Sequence, residues 1–153
     1  MPALTVRPYR DSDRAQYVRM SQALFSEPAE SVLVPDSPDF FASRRAAAFV
    51  LERPDGRLAG FVEVGTRVYA DGCETSPVGY IEAWYVDPDV RRQGHGVALL
   101  AAAENWAREI GCTEVASDAQ LNNTVSYAAH LRAGYTEVDR IVQFRKSLPL
   151  PPS

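Results

Sequence analysis

The residues from Gly79 to Gly111, GYIEAWYVDPDVRRQGHGVALLAAAENWAREIG, restrict the fold more than any other part of the chain. Tyr80 to Val86 is rich in aromatic and β-branched side chains and reads as a strand. It breaks at Asp87-Pro88-Asp89 and passes through Arg91-Arg92-Gln93-Gly94-His95-Gly96. Leu99, Ala103, Trp106 and Ile110 then recur at helical spacing. The glycines fall where that helix begins, so its first backbone N–H groups lack intrahelical partners and point at whatever lies in the turn. A phosphate suits such a place: glycine admits close backbone approach, and Arg91 and Arg92 add bidentate donors.

With 153 residues, the chain is long enough for one domain with its own core, and residues 1–148 are expected to form it, with 149–153 a disordered tail. No apolar run approaches the about 20 residues of a membrane-spanning helix. MPALTVRPYR lacks a signal-peptide apolar region, so a cytoplasmic location and no membrane partner are expected. The net charge of −4 disfavours a nucleic-acid partner and permits a cationic substrate. Cys73 and Cys112 lie far apart without CxxC spacing, and His95 and His130 have no carboxylate at ligand spacing, so no metal is expected.

In order, Leu4 to Tyr9 reads as a strand, and Asp11-Ser12-Asp13 offers capping oxygens to a helix from Arg14 to Phe25. Ser26 to Ser37 holds two prolines and no clean period, and reads as a loop whose Glu27, Glu30 and Asp36 form either a solvated surface or an acidic rim. Asp39 to Ala46 suggests a helix. Ala47 to Glu52 and Arg57 to Val68 flank the turn Pro54-Asp55-Gly56 as a hairpin. After the long helix come a strand at Glu114 to Ser117, a helix at Asn123 to Ala133, and strands at Tyr135 to Val138 and Ile141 to Arg145. The expectation is an α+β fold, a mixed sheet of about seven strands with about four helices.

The pattern Arg91-x-x-Gly94-x-Gly96 after a strand resembles the coenzyme A pyrophosphate loop of the GNAT superfamily of N-acetyltransferases. Asn123-Thr124-Val125-Ser126-Tyr127-Ala128-Ala129-His130-Leu131-Arg132-Ala133-Gly134-Tyr135 is similar to the late helix of that superfamily, and the order of elements agrees along essentially the whole chain. Two further segments, Gly72-Cys73-Glu74-Thr75-Ser76-Pro77 and Cys112-Thr113-Glu114-Val115-Ala116-Ser117-Asp118-Ala119, resemble the short bacterial aminoglycoside 6′-N-acetyltransferases. Two positions depart from the pattern. His130 stands where many GNAT enzymes carry the tyrosine that protonates the departing thiolate, and Phe25 stands where the narrower branch often has tryptophan.

The resemblance implies acetyl transfer from acetyl-CoA to a small cationic amine, here the 6′-amine of an aminoglycoside, by direct attack on the thioester. By analogy it also implies a homodimer. Such an amine is mostly protonated at neutral pH and must lose a proton before it attacks, which calls for a carboxylate near the thioester. Glu82 fits the base role, unless it faces solvent or pairs with an arginine. Asp118 shares that role, binds the substrate's ammonium groups, or caps a turn. Backbone N–H groups at a bulge over Trp84, Tyr85 and Val86 are expected to meet the oxyanion. Arg91, Arg92, Gln93, Gly94, His95 and Gly96 hold the pyrophosphate, and Asn123 either contacts the pantetheine arm or caps its helix. His130 is the general acid, a donor to the thiolate, or a packing residue, and Phe25 stacks on a sugar ring. Transfer to a polyamine or a peptide amine, and a non-catalytic acyl-CoA-binding sensor, remain the alternatives.

Overall fold

The computed structural model describes residues 3–26, 34–35 and 46–152. Within them lie β1 (Thr5–Pro8), α1 (Arg14–Phe25), β2 (Ala46–Glu52), β3 (Leu58–Arg67), β4 (Val78–Val86), α2 (His95–Glu109), β5 (Val115–Ser117) and α3 (Thr124–Arg132). The strands form one sheet in the order β1-β2-β3-β4-β5. All neighbours are antiparallel except β4 and β5, which run parallel, with α2 as the crossover between them.

Alternation along the strands assigns the two faces of the sheet. Ala46, Ala48 and Val50 of β2 and Phe61 of β3 point to one face, where Tyr17 and Met20 of α1 are fully buried. Leu51, Ala59, Val62 and Val64 point to the other, against Leu99, Leu100 and Ala103 of α2. Both helices therefore bury an apolar stripe on opposite faces, and each large side chain removed from water contributes about 1.5–3 kcal/mol. Tyr17 carries its hydroxyl into this core and donates it to Glu63, and burial pushes its pKa far upward.

The α+β architecture stands as expected, with five strands and three α-helices among the described residues rather than about seven and four. The helix expected at Asp39 to Ala46 falls outside the described residues, apart from Ala46, which opens β2. The acidic loop positions Glu27, Glu30 and Asp36 also fall outside them. The strands expected at Tyr135 to Val138 and Ile141 to Arg145 do not form. Their alternation is real, but a strand needs a neighbour for its N–H and C=O groups, and among the described residues nothing pairs with these segments beyond β5. Val138, Ile141, Val142 and Phe144 are consequently left exposed.

Asp13 does not cap α1. It turns back to accept from the Arg10 N–H at 2.8 Å and from Arg7 at 2.8 and 2.9 Å, while Arg7 also reaches Glu52 of β2 at 2.7 Å. This nearly buried triad ties the first turn to the sheet edge. Burial would raise the Asp13 pKa, but the hydrogen bonds from Arg7 and Arg10 outweigh it and hold the carboxyl below the usual range. A folded-state pKa below the unfolded one means that the unfolded chain binds more protons at acid pH. The stability Asp13 contributes is thus present above pH ~4 and lost as pH falls through its folded-state pKa. Asp13→Asn should cost about 2 kcal/mol at neutral pH. In urea titrations the gap between parent and variant should narrow as pH falls from ~4, where the unfolded chain takes up the proton, through the lowered folded-state pKa of Asp13.

Candidate active site

The site is built where β4 and β5 part. Their pairing ends at Ile81↔Ser117, and β4 runs on through Glu82 to Val86 with no β5 residue paired opposite. On the other side β3 follows β4 throughout, with one irregularity: Glu63 pairs with Ala83 and Val64 with Ile81, leaving Glu82 as the extra residue of a β-bulge. The bulge therefore sits at Glu82, two residues before the Trp84 to Val86 stretch where the sequence placed it. It inverts the alternation, so that Ile81, Trp84 and Val86 all pack on the α2 side while Ala83 and Tyr85 pack towards α1.

The ladder also sorts the backbone donors. Asp87 donates its N–H to Ala59 of β3 at 2.6 Å, so by alternation Tyr85 faces β3 and the N–H groups of Trp84 and Val86 face the open side. The Val86 carbonyl on that side accepts from Arg91 Nε at 2.7 Å.

Asp87 fixes the start of the turn. It accepts from Arg19 of α1 and Arg53 of the β2–β3 hairpin, each at 3.1 Å, and Arg53 also grips Asp89 at 2.9 Å. Burial would raise the Asp87 pKa, yet the arginine hydrogen bonds lower it. The chain then crosses Arg92, left-handed at φ 63, and Gly94, at φ 85, before α2 starts at His95. Gln93 and Arg92 are exposed, and His95 and Gly96 are half-buried at the helix start. Gly96 is fixed by its neighbour: the Trp84 indole donates to the Gly96 carbonyl at 3.0 Å, and a Cβ on Gly96 would lie 3.0 Å from the indole ring. The fifteen-residue helix α2 thus starts, with its first N–H groups free, directly after two left-handed backbone positions and an arginine pair.

The carboxylates converge on the fork. Glu82 accepts from Arg67 at 3.1 and 3.3 Å, the pairing that was the alternative to its base role. Asp118, exposed just beyond β5, accepts from the Tyr80 hydroxyl at 2.6 Å and caps no turn. Burial and that hydrogen bond both raise the Tyr80 pKa, so Tyr80 stays protonated and donating. His130 reaches the same place from α3. Its ring packs edge-on against Trp84 and Tyr135, with Nε2 2.8 Å from Ser117 Oγ and Nδ1 2.7 Å from the Ser126 carbonyl. A carbonyl only accepts, so Nδ1 carries a proton, and in the neutral ring Nε2 accepts from the Ser117 hydroxyl.

Asn123 caps α3, accepting from the Ser126 N–H at 3.0 Å. Phe25 ends α1 about half exposed, and among the described residues no hydrogen bond or ring contact joins it to Glu82 or Asp118. Arg67, Tyr80, Ser117 and the arginines behind Asp87 were not singled out from the sequence, since their partners lie 13 to 68 residues away with no local signature. The two unusual segments flagged separately in the sequence turn out to hold each other. The Glu114 carboxylate accepts from the Glu74 and Thr75 N–H groups at 2.9 and 2.8 Å, and from the Thr75 hydroxyl. No group of three or more potential metal ligands occurs among the described residues.

The family described as acetyltransferase (GNAT) matches residues 15–135. The chain is 44% identical over 146 residues to the aminoglycoside N(6')-acetyltransferase type 1 of Klebsiella aerogenes, covering 94% of this chain and 96% of that one. It is 37% identical over 152 residues to the protein of the same name from Stenotrophomonas maltophilia, covering 99% and 97%. Among solved structures, the apo aminoglycoside antibiotic 6'-N-acetyltransferase AAC(6')-IG of Acinetobacter haemolyticus superposes with a TM-score of 0.85 at 32% identity, covering 95% of this chain and 99% of that one. AAC(6')-Iy in complex with the bisubstrate analog CoA-S-monomethyl-acetylneamine superposes with a TM-score of 0.79 at 27% identity, covering 96% and 100%.

The two glycines of the turn should respond differently to a methyl group. A Cβ on Gly94 meets nothing within 4 Å, so Gly94→Ala suffers only through its left-handed backbone, about 1–2 kcal/mol. Gly96→Ala must push the Trp84 indole. Both should weaken coenzyme A binding by about tenfold or more in calorimetric titration, while a tryptophan fluorescence shift should accompany Gly96→Ala alone.

Proposed function

This chain belongs to the acetyltransferase (GNAT) family, and on that premise we propose that it acetylates the 6′-amine of aminoglycoside antibiotics with acetyl-CoA, conferring resistance. The observation that carries the reading is a fork between β4 and β5 that holds two carboxylates, with an arginine- and glycine-bearing turn between the end of β4 and the start of α2. Coenzyme A lays its pyrophosphate on the N-terminus of α2 and its pantetheine arm along the open edge of β4. That route brings the thioester carbonyl to the outward N–H groups of Trp84 and Val86.

Glu82 and Asp118 draw in the ammonium groups of the substrate, and one of them takes the proton that frees the 6′-amine. The amine attacks the thioester carbonyl directly, the backbone donors hold the oxyanion, and its collapse breaks the carbon–sulfur bond. The thiolate leaves beside Ser117 and His130. In the neutral tautomer His130 has no proton at Nε2 to give, so it serves as the acid only as imidazolium, and otherwise buttresses Ser117 and Trp84. The net charge of −4 favours the cationic substrate and a partner set without nucleic acid. A cytoplasmic site follows from the need for acetyl-CoA; among the described residues no helix is long and apolar enough to cross a membrane.

We further propose a homodimer. Val138, Ile141, Val142 and Phe144 are 61% to 92% exposed, and among the described residues β5 is the last strand of the sheet. One chain carries both the apolar strand-like segment and the edge, which suits a self-complementary pairing of two copies.

Coenzyme A release should occur with kanamycin, and not with the same scaffold bearing a 6′-hydroxyl or with spermidine. Turnover with spermidine alone would reassign the substrate, and silence with all three despite acetyl-CoA binding would favour the sensor. Of Glu82→Gln and Asp118→Asn, the one that removes the base should lower kcat about 10²- to 10⁴-fold, while the other chiefly raises KM. Sedimentation should give twice the chain mass, and a chain ending at Tyr135 should lose that association; a truncated chain that still dimerises would contradict the pairing.

A further inference from the structure

The fork holds a cation of its own. Arg67 ends β3, paired with Val78, and is followed by the exposed Val68 and Tyr69. Its guanidinium carbon lies over the Tyr80 ring, 3.4 Å from the centroid, and the group bonds Glu82 at 3.1 and 3.3 Å. The same Tyr80 donates to Asp118 at 2.6 Å, so a single guanidinium sits against the wall that joins both carboxylates. A face-on contact with Tyr80 and an ion pair with Glu82 are the interactions that a sugar bearing an ammonium group would make there.

We propose that Arg67 is a specificity-determining residue, an internal competitor that occupies the ammonium subsite at Glu82 and Tyr80 until a cationic substrate displaces it. This inference rests on the proposed amine substrate. The side chain is suited to leaving. Arg67 is 44% exposed against 17% for Glu82, so the guanidinium has solvent to swing into while the carboxylate stays in place. A half-exposed pair of this kind is weak enough for a substrate to break, and the stacking on Tyr80 adds a comparable amount. The consequence is a threshold. An amine gains the subsite only by outcompeting Arg67, which favours substrates that bring several positive charges to the wall and disfavours small monoamines. Arg67 pairs with Glu82 only while the subsite is empty and has left it once the amine is bound, so it bears on binding of the amine and leaves acetyl-CoA binding alone.

The test is calorimetric titration of kanamycin into the parent chain and its Arg67→Gln, Arg67→Met and Arg67→Lys variants, with turnover followed in parallel. Unaltered acetyl-CoA binding identifies the variants that are folded. Removing the charge by Gln or Met should tighten kanamycin binding about three- to tenfold and lower its KM equally, with kcat unchanged. Lys, which keeps a cation there, should stay near the parent value. Unchanged or weaker binding in a folded charge-free variant overturns the proposal, even if the parent acetylates kanamycin. Tighter binding in the charge-free variants, with no acetylation by the parent, upholds the role of Arg67 and removes the assigned reaction. A parent that neither binds nor acetylates kanamycin overturns both.

Discussion

The parting of β4 from β5 after Ile81 and Ser117 is the constraint on which the rest depends. Two parallel strands that stayed paired would satisfy each other's backbone groups and leave nowhere for a ligand. Here β3 holds β4 from one side while α2, packed through Leu99, Leu100 and Ala103, holds the sheet from its face. The strand can therefore lose one neighbour without losing its shape. The bulge at Glu82 uses the same place: one extra residue turns a carboxylate to the fork and puts the Trp84 indole under Gly96, joining the strand to the start of α2.

Charge is arranged in two separate groups along this frame. At the C-terminal end of β4, Asp87 is held by Arg19 and Arg53, which brace the start of the turn in which Arg92 is exposed. At the fork, Glu82, Asp118, Tyr80 and Arg67 form a linked wall. In the proposed reaction this arrangement draws an anionic cosubstrate and a cationic amine to neighbouring but distinct places, with their reacting atoms between them.

Much of this frame was legible in the sequence, because its signals are local. The strand-turn-helix from Tyr80 to Ile110, the hairpin around Pro54-Asp55-Gly56 and the late helix each carry their own period and punctuation. The 91–96 turn is a candidate for the same reason, whereas Glu82 and Asp118 become candidates only through the chemistry that the family resemblance implies. What the sequence did not reveal depends on partners distant in the chain. Arg67 looks like any strand-end arginine until Glu82 and Tyr80 are placed beside it. Ser117 gains meaning only from His130. The closing strands misled in the opposite direction: Val138 to Phe144 alternates convincingly, but alternation says nothing about whether a neighbouring strand exists.

The position of the acetyl group on the product tests most directly where the new carbon–nitrogen bond forms. Nuclear magnetic resonance of kanamycin incubated with the chain and acetyl-CoA should show one acetyl group, on the 6′-nitrogen. Acetylation at another amine, or a mixture of positions, would contradict the placement of the thioester beside Glu82 and Asp118.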